Sequence, residues 1–204
     1  MPKHYFITGI GTDVGKTVCS AILVQQFGFD YWKPVQAGLH PETDTERVRS
    51  LVSRTDVTYH PEKYRLKLPA SPHLSAHEEG VEIKLSDFSI PSSNSLLIEG
   101  AGGLLVPINY NGDTIADMID YFDAELILVS RHYLGSINHT LLSIEVARSR
   151  GLVIAGIVFN GKAHHPTEQV ILKTGVKFLG RIDETDDVNK EFVKSQITSI
   201  VLTN

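Results

Sequence analysis

Short apolar runs recur along the chain, separated by longer stretches of mixed character. Tyr5–Thr8, Tyr31–Val35, Leu96–Glu99, Glu125–Ser130, Val153–Asn160 and Phe178–Ile182 are the candidate strands. Leu96-Leu97-Ile98 and Leu126-Ile127-Leu128-Val129 are apolar without alternation, the pattern of parallel strands covered on both faces. Helical stretches fill most of the intervals. Strand alternating with helix predicts an α/β protein with a doubly wound, mostly parallel sheet, whose functional loops lie at the carboxyl ends of the strands. No composition shift, linker or repeat divides the 204 residues, so a single domain over 1–204 is expected.

The first run leads into Gly9-Ile10-Gly11-Thr12-Asp13-Val14-Gly15-Lys16-Thr17, followed by the helix-like Val18-Cys19-Ser20-Ala21-Ile22-Leu23-Val24. Glycines let successive N–H groups turn inward, and a helix N-terminus adds partial positive charge worth ~0.3–1 kcal/mol per nearby anion. Polyphosphate is the natural guest. Lys16 would meet the outer phosphates and the Thr17 hydroxyl would help hold Mg²⁺. The pattern G-x-x-x-x-G-K-[ST] is met imperfectly, because Ile10 stands where its first glycine belongs, with Gly9 and Gly11 on either side. A turn without a ligand is the competing reading, but packing alone does not explain Gly-Lys-Thr at a strand-to-helix junction.

Other strand ends carry chemistry too. Trp32-Lys33-Pro34-Val35-Gln36-Ala37-Gly38 places a lysine where it can reach a phosphate. At ~4 Å and an effective dielectric near 20 the attraction is about 4 kcal/mol before desolvation. A solvated lysine lying over Trp32 is the bland alternative. Pro41–Val48 reads as a helix start capped by Thr43, which explains Asp44 as a first-turn acid; a Mg²⁺ ligand is the other reading. Glu99 closes an apolar run and precedes Gly100-Ala101-Gly102-Gly103. A carboxylate there is costly unless paired, and Mg²⁺ bound to phosphate would compensate it.

The remaining candidates are weaker. His73 and His77 stand at i and i+4, but Glu78 follows the second histidine, so the zinc-protease order is absent; the other histidines, including His164-His165, read as surface or loop residues. Gly135 and Ser136 open a helix whose amides could hold an anion, or Ser136 could merely cap it. Asn160-Gly161 could meet a nucleobase edge or only make a turn. The order N-K-x-D of guanine binders is missing after Asn160, which favours adenine.

Net charge is −5 and no basic run occurs, which argues against nucleic acid or an anionic membrane as partner. No signal-peptide core and no membrane-length apolar stretch is present, so a cytoplasmic protein is expected. The lone Cys19 allows no internal disulfide and reads as a packed thiol.

Taken together, Gly11–Thr17, Lys33-Pro34-Val35-Gln36-Ala37-Gly38, Ser71-Pro72-His73, Glu99-Gly100-Ala101-Gly102-Gly103, Leu134-Gly135-Ser136-Ile137-Asn138-His139-Thr140 and Gly156-Ile157-Val158-Phe159-Asn160 resemble dethiobiotin synthetases in order and spacing, up to about Ile182. The resemblance implies a P-loop ligase of biotin synthesis that joins CO₂ to diaminopelargonic acid using ATP and Mg²⁺. It implies that Lys16 and Lys33 flank the reacting groups, and that Thr17, Asp44 and Glu99 collect around the metal. ATP would contact Asp13, Val14, Gly15, Lys16, Thr17, Val18, Asp44, Glu99, Gly100, Ala101, Gly102, Asn160 and Gly161. A homodimer is implied, its substrate site at the interface, with Ala37, Gly135 and Ser136 near the substrate. At Ala37 the family usually carries Ser or Thr, and at Asp183-Glu184 it commonly has proline in a base loop. A nucleotide-dependent partitioning switch is the competing class, although positions 9–14 lack the extra lysine such proteins usually carry; a related amide-forming enzyme would share most motifs.

Overall fold

The computed structural model describes residues 3–202. Nine strands occur among them: β1 (Lys3–Gly9), β2 (Asp30–Trp32), β3 (Val35–Ala37), β4 (Tyr59–His60), β5 (Tyr64–Leu66), β6 (Ser95–Gly103), β7 (Glu125–Arg131), β8 (Ile154–Asn160) and β9 (Phe178–Ile182). Seven form one parallel sheet in the order β4-β2-β6-β1-β7-β8-β9. β1 is central, with β6 on one side and β7 on the other, so the winding reverses beside the loop that follows β1. In an open parallel sheet that crevice is where a ligand binds.

Side chains on β1 alternate between two cores. Tyr5 and Ile7 join the core beneath helix α1 (Lys16–Phe27), which packs against α2 (Asp44–Leu51) and α7 (Lys190–Ser195). Phe6 faces the other way, with Leu96 and Ile98, towards Ile115, Met118 and Ile119 of helix α4 (Ile115–Tyr121). Both layers are apolar. Full burial of residues such as Leu97 and Ile98 stabilises the sheet by ~1.5–3 kcal/mol each, which explains why these strands are apolar on both faces. Cys19 is a buried thiol of α1, as its position implied.

Three features depart from the sequence reading. Tyr31–Val35 is not one strand: β2 stops at Trp32 and the chain restarts as β3 in a separate two-stranded sheet with β5. Pro34 cannot donate to the ladder, and its carbonyl instead accepts from the amides of Lys63 and Tyr64. β6 does not end at Glu99 but runs on to Gly103, where it pairs with Gly9. β4 and β5 were not anticipated, because two- and three-residue strands are too short to show a period.

Candidate active site

The carboxyl ends of β1, β2 and β6 lie side by side, and the site is assembled from them. Residues 10–15 form the loop between β1 and α1. Gly15 takes φ +95°, and a Cβ on it would sit 2.1 Å from Asn160 Nδ2, so both conformation and space demand glycine. Asn160, at the end of β8, donates from Nδ2 to the Val14 carbonyl at 2.9 Å and so braces the loop from two strands away. Lys16 donates from Nζ to the Gly11 carbonyl at 3.1 Å. Burial, and then the neighbouring Lys33, push its pKa down.

Strand register explains why Lys33 meets Glu99. Trp32 pairs with Ile98 in the β2–β6 ladder, so the next residue of each chain emerges at the same level. Lys33 Nζ lies 2.9 Å from Asp44 Oδ2, 3.3 Å from Glu99 Oε1 and 3.3 Å from the Gly100 carbonyl. Burial opposes its charge, but the two carboxylates outweigh burial and raise its pKa. The solvated lysine considered from sequence is excluded, since Lys33 is only 3 % exposed.

Glu99 is 1 % exposed and accepts on both oxygens. Oε2 takes hydrogen bonds from Ser20 Oγ at 2.6 Å and Tyr31 OH at 3.0 Å; Oε1 takes them from Thr17 Oγ1 at 3.0 Å and from Lys33. Thr17 and Ser20 stand at i and i+3 of α1, the spacing that puts two side chains on one helical face. Burial and Glu99 together hold the Tyr31 hydroxyl far above its ordinary pKa, so it stays a donor.

Asp44 stands in the first turn of α2 and also lines the cleft. The capping box belongs to its neighbours: Thr43 Oγ1 accepts from the Glu46 amide at 3.2 Å, and Glu46 Oε2 accepts from the Thr43 amide at 2.7 Å. That leaves the Asp44 carboxylate free to accept from Thr17 Oγ1 at 2.7 Å and to pair with Lys33. The Asp44 amide donates to Gln36 Oε1 at 3.1 Å, and Gln36 Nε2 donates to the Gly38 carbonyl at 2.8 Å, which ties α2 to β3. Ser20, Tyr31 and Gln36 were not singled out from sequence. The helical offset of Ser20 from Thr17, and the two-residue offset of Tyr31 from Lys33 along one strand face, were the available signals.

Thr17, Asp44 and Glu99 present oxygen ligands only, which suits Mg²⁺, an ion that takes one or two carboxylates and completes its shell with phosphate and water. Among the described residues no group of three or more His, Cys, Asp or Glu could hold a metal. The cleft above these groups has a volume of about 790 Å³. Asp13, Val18, Ala37, Ser71, Ala101 and Gly102 line it together with the two lysines.

Gly135 and Ser136 lie outside that lining. Gly135, at φ +100°, is the N-cap of α5 (Ser136–Ser149) and carries no side-chain cap, so Ser136 is the first helical residue and not a cap. A second, apolar cleft of about 400 Å³ opens between Leu104, Leu105, Pro107, His139, Leu142 and Val146. At the opposite edge, Asn160 pairs with Ile182 across β8 and β9, and the Gly161 carbonyl accepts from Arg181 Nη1 at 3.2 Å. Arg181 Nη2 pairs at 2.5 Å with Glu168, which also faces His132 Nε2 at 2.9 Å. His132 lies in the loop after β7, with its side chain 14 % exposed. Asp183 is tied down by Gln196, whose Oε1 accepts from the Asp183 amide at 3.0 Å and whose Nε2 donates to Asp183 Oδ2 at 3.1 Å. His73 and His77 both set their rings edge-on to Tyr110, at 5.1 and 5.3 Å.

Comparison with known proteins adds three findings. A protein-family model described as AAA domain (AAA_26) matches residues 3–192. Among solved structures, a putative plasmid partition protein from Borrelia burgdorferi bound to AMPPNP superposes with a TM-score of 0.59 at 14 % identity, covering 95 % of this chain and 94 % of that one, a likeness of fold alone. Curated relatives include the ATP-dependent dethiobiotin synthetase BioD of Cytophaga hutchinsonii, 51 % identical over 94 % of this chain and 93 % of the relative, and that of Christiangramia forsetii, 50 % identical over 95 % and 94 %. With half its residues shared over almost its whole length, the chain belongs to the ATP-dependent dethiobiotin synthetase family.

Proposed function

We propose that the protein, acting as one unit over residues 1–204, closes a ureido ring on diaminopelargonic acid with CO₂ and ATP, giving dethiobiotin, ADP and phosphate. The observation that carries this reading is the buried Lys33, set beside the phosphate loop between two carboxylates. One substrate amine captures CO₂ as a carbamate, and a carbamate oxygen attacks the γ-phosphorus as ADP leaves. The second amine then attacks the carbonyl of the carbamic–phosphoric anhydride, and phosphate departs as the ring closes. Carbamate and triphosphate are both anions, so catalysis rests on holding like charges together.

Loop amides from Asp13 to Val18 cradle the triphosphate, and Lys16 leaves Gly11 to meet the outer phosphates. Thr17, Asp44 and Glu99 would hold Mg²⁺, which supplies positive charge against the phosphate oxygens. Lys33 orients the carbamate towards the γ-phosphorus. Ala101 and Gly102 at the cleft let both ligands approach the backbone, Gly100 packs beneath them against Phe6, and Asn160-Gly161 border the adenine. Ala37 faces the cleft without the hydroxyl common in the family, so one hydrogen bond to the diamine is lost.

Two copies complete the site in this reading. Leu134 is fully exposed at the start of α5, with Leu142 at 55 % and Leu105 at 51 % nearby, an apolar rim suited to a second copy. The helix amides at Gly135 and Ser136 would then hold the tail carboxylate of a diamine seated in the neighbouring subunit. No described helix is long and apolar enough to cross a membrane, which accords with cytoplasmic work. The test is phosphate release by purified protein given diaminopelargonic acid, bicarbonate, Mg²⁺ and ATP. Release should require every one of these, and release indifferent to the diamine would refute the reading.

A further inference from the structure

Lys33 has no hydrogen to spare. An ammonium carries three donors, and its three acceptors here are Asp44 Oδ2, Glu99 Oε1 and the Gly100 carbonyl. To hold a substrate anion it must give up at least one of them. Glu99 is divided in a complementary way. Its Oε2 is fixed by Ser20 and Tyr31, both fully buried, while its Oε1 is held only by Thr17 and Lys33, which line the cleft. Thr17 adds a second imbalance, because its one hydroxyl hydrogen faces both Asp44 Oδ1 and Glu99 Oε1. These carboxylate oxygens are therefore short of donors, and Lys33 is the only lysine or arginine among the described residues in ion-pair contact with them.

We propose that Lys33 is a place-holder which a divalent cation displaces: the two compete for Asp44 and Glu99 Oε1, and loading of metal with nucleotide frees the ammonium for the anionic second substrate. A divalent cation beside these oxygens takes the same lone pairs and repels a neighbouring ammonium. Lys33 then keeps Gly100 and turns its freed hydrogens to the cleft, while Ser20 and Tyr31 stop Glu99 from following. The exchange makes the carbamate bind more tightly once metal and nucleotide are in place. Coupling is reciprocal, so a bound carbamate tightens the metal site. The proposal rests on the reading above only for the identity of that anion.

Mn²⁺ serves as the probe, titrated without nucleotide and followed by its electron paramagnetic resonance signal. Lys33→Met, which removes the competitor, should bind Mn²⁺ about tenfold more tightly than the unaltered protein, whereas Lys33→Arg should not. Equal affinity in the Met variant and the unaltered protein, including none in either, or weaker affinity in the variant, overturns the proposal. A second measurement needs no variant and covers the case in which Lys33→Met does not fold. Reductive methylation of the unaltered protein with a non-hydrolysable ATP analogue, read by mass spectrometry against the exposed Lys63, should label Lys33 about threefold faster when Mn²⁺ is added. Labelling that is unchanged or slower overturns it. Neither readout uses the diamine or phosphate release, so failure of the ring-closure assay leaves these outcomes interpretable.

Discussion

The two ends of the cleft differ in how much of their chemistry one chain completes. At the phosphate end, Glu99 and Asp44 bind Lys33 and Thr17, Ser20 and Tyr31 also hold Glu99, and β6, α1, α2 and the end of β2 share the load. At the α5 end, Gly135 and Leu134 stand exposed and Leu105 and Leu142 are about half exposed. A buried charge is expensive to leave unpaired, so its main partners must be preorganised within one polypeptide. Helix amides and apolar side chains carry no such penalty and can wait for a partner. Phosphate binding should accordingly survive damage to the α5 end, while diamine binding should need both.

The largest expected effect comes from the phosphate end. Lys33→Met should lower dethiobiotin formation about 10³-fold, or ~4 kcal/mol of transition-state stabilisation, while ATP affinity measured by calorimetry stays within about threefold. Unchanged turnover would remove Lys33 from the chemistry. At the other end, the pair Leu134→Asp and Leu142→Asp should split the proposed dimer in sedimentation and raise the KM for the diamine about tenfold or more, leaving ATP affinity unaltered. A variant that stays dimeric, or that loses ATP binding as well, would erase the contrast between the ends.

The same contrast governs what the sequence alone revealed. Lys16, Lys33 and Glu99 stood out because strand-end chemistry is local: a glycine-rich turn, a proline after a lysine, an acid after an apolar run. Their partners did not stand out. Tyr31 reads as one more apolar strand residue, and Ser20 as one more small residue in a helix, until register brings both to Glu99. Pro34 has no N–H for a ladder, but the consequence, a strand ending at Trp32 and a second sheet beginning at Val35, needed a pairing partner at β5, far along the chain. Asp44 carried two readings because a helix start and a cleft wall coincide there. Gly135 and Ser136 remained expectations, since what they face belongs to no residue of the same chain in the proposed assembly.

Tyr31→Phe gives a smaller and more local effect. It removes one of the two donors on Glu99 Oε2 without touching the cleft, and hydrogen bonds to a charged acceptor contribute ~1.5–3 kcal/mol. Urea denaturation should show a loss in that range, with nucleotide affinity reduced less than stability. A loss of affinity larger than the loss of stability would mean that Tyr31 reaches the ligand directly.

The smallest effect is the pH dependence of the Asp44–Lys33 pair. Burial raises the Asp44 pKa, but Lys33 and the Thr17 hydrogen bond outweigh it, so the folded value lies below the ordinary one. An acid with a depressed folded pKa contributes stability above its unfolded value, near pH 4, and loses it as pH falls through the folded value. Lys33 has the opposite sign. Its raised pKa contributes stability that is complete below about pH 10 and is lost as pH rises through the folded value. Between about pH 5 and pH 10 the pair should leave stability flat. Asp44→Asn should therefore be less stable than the unaltered protein at pH 7 in urea titrations, and the gap should close as pH falls below about 4, where the protonated aspartic acid resembles the amide. Because a third of the Asp44 side chain is exposed, added salt should narrow the gap at pH 7 as well. A gap independent of pH would mean that Asp44 does not act through its charge, which would leave Lys33 anchored at the phosphate end by Glu99 and the Gly100 carbonyl.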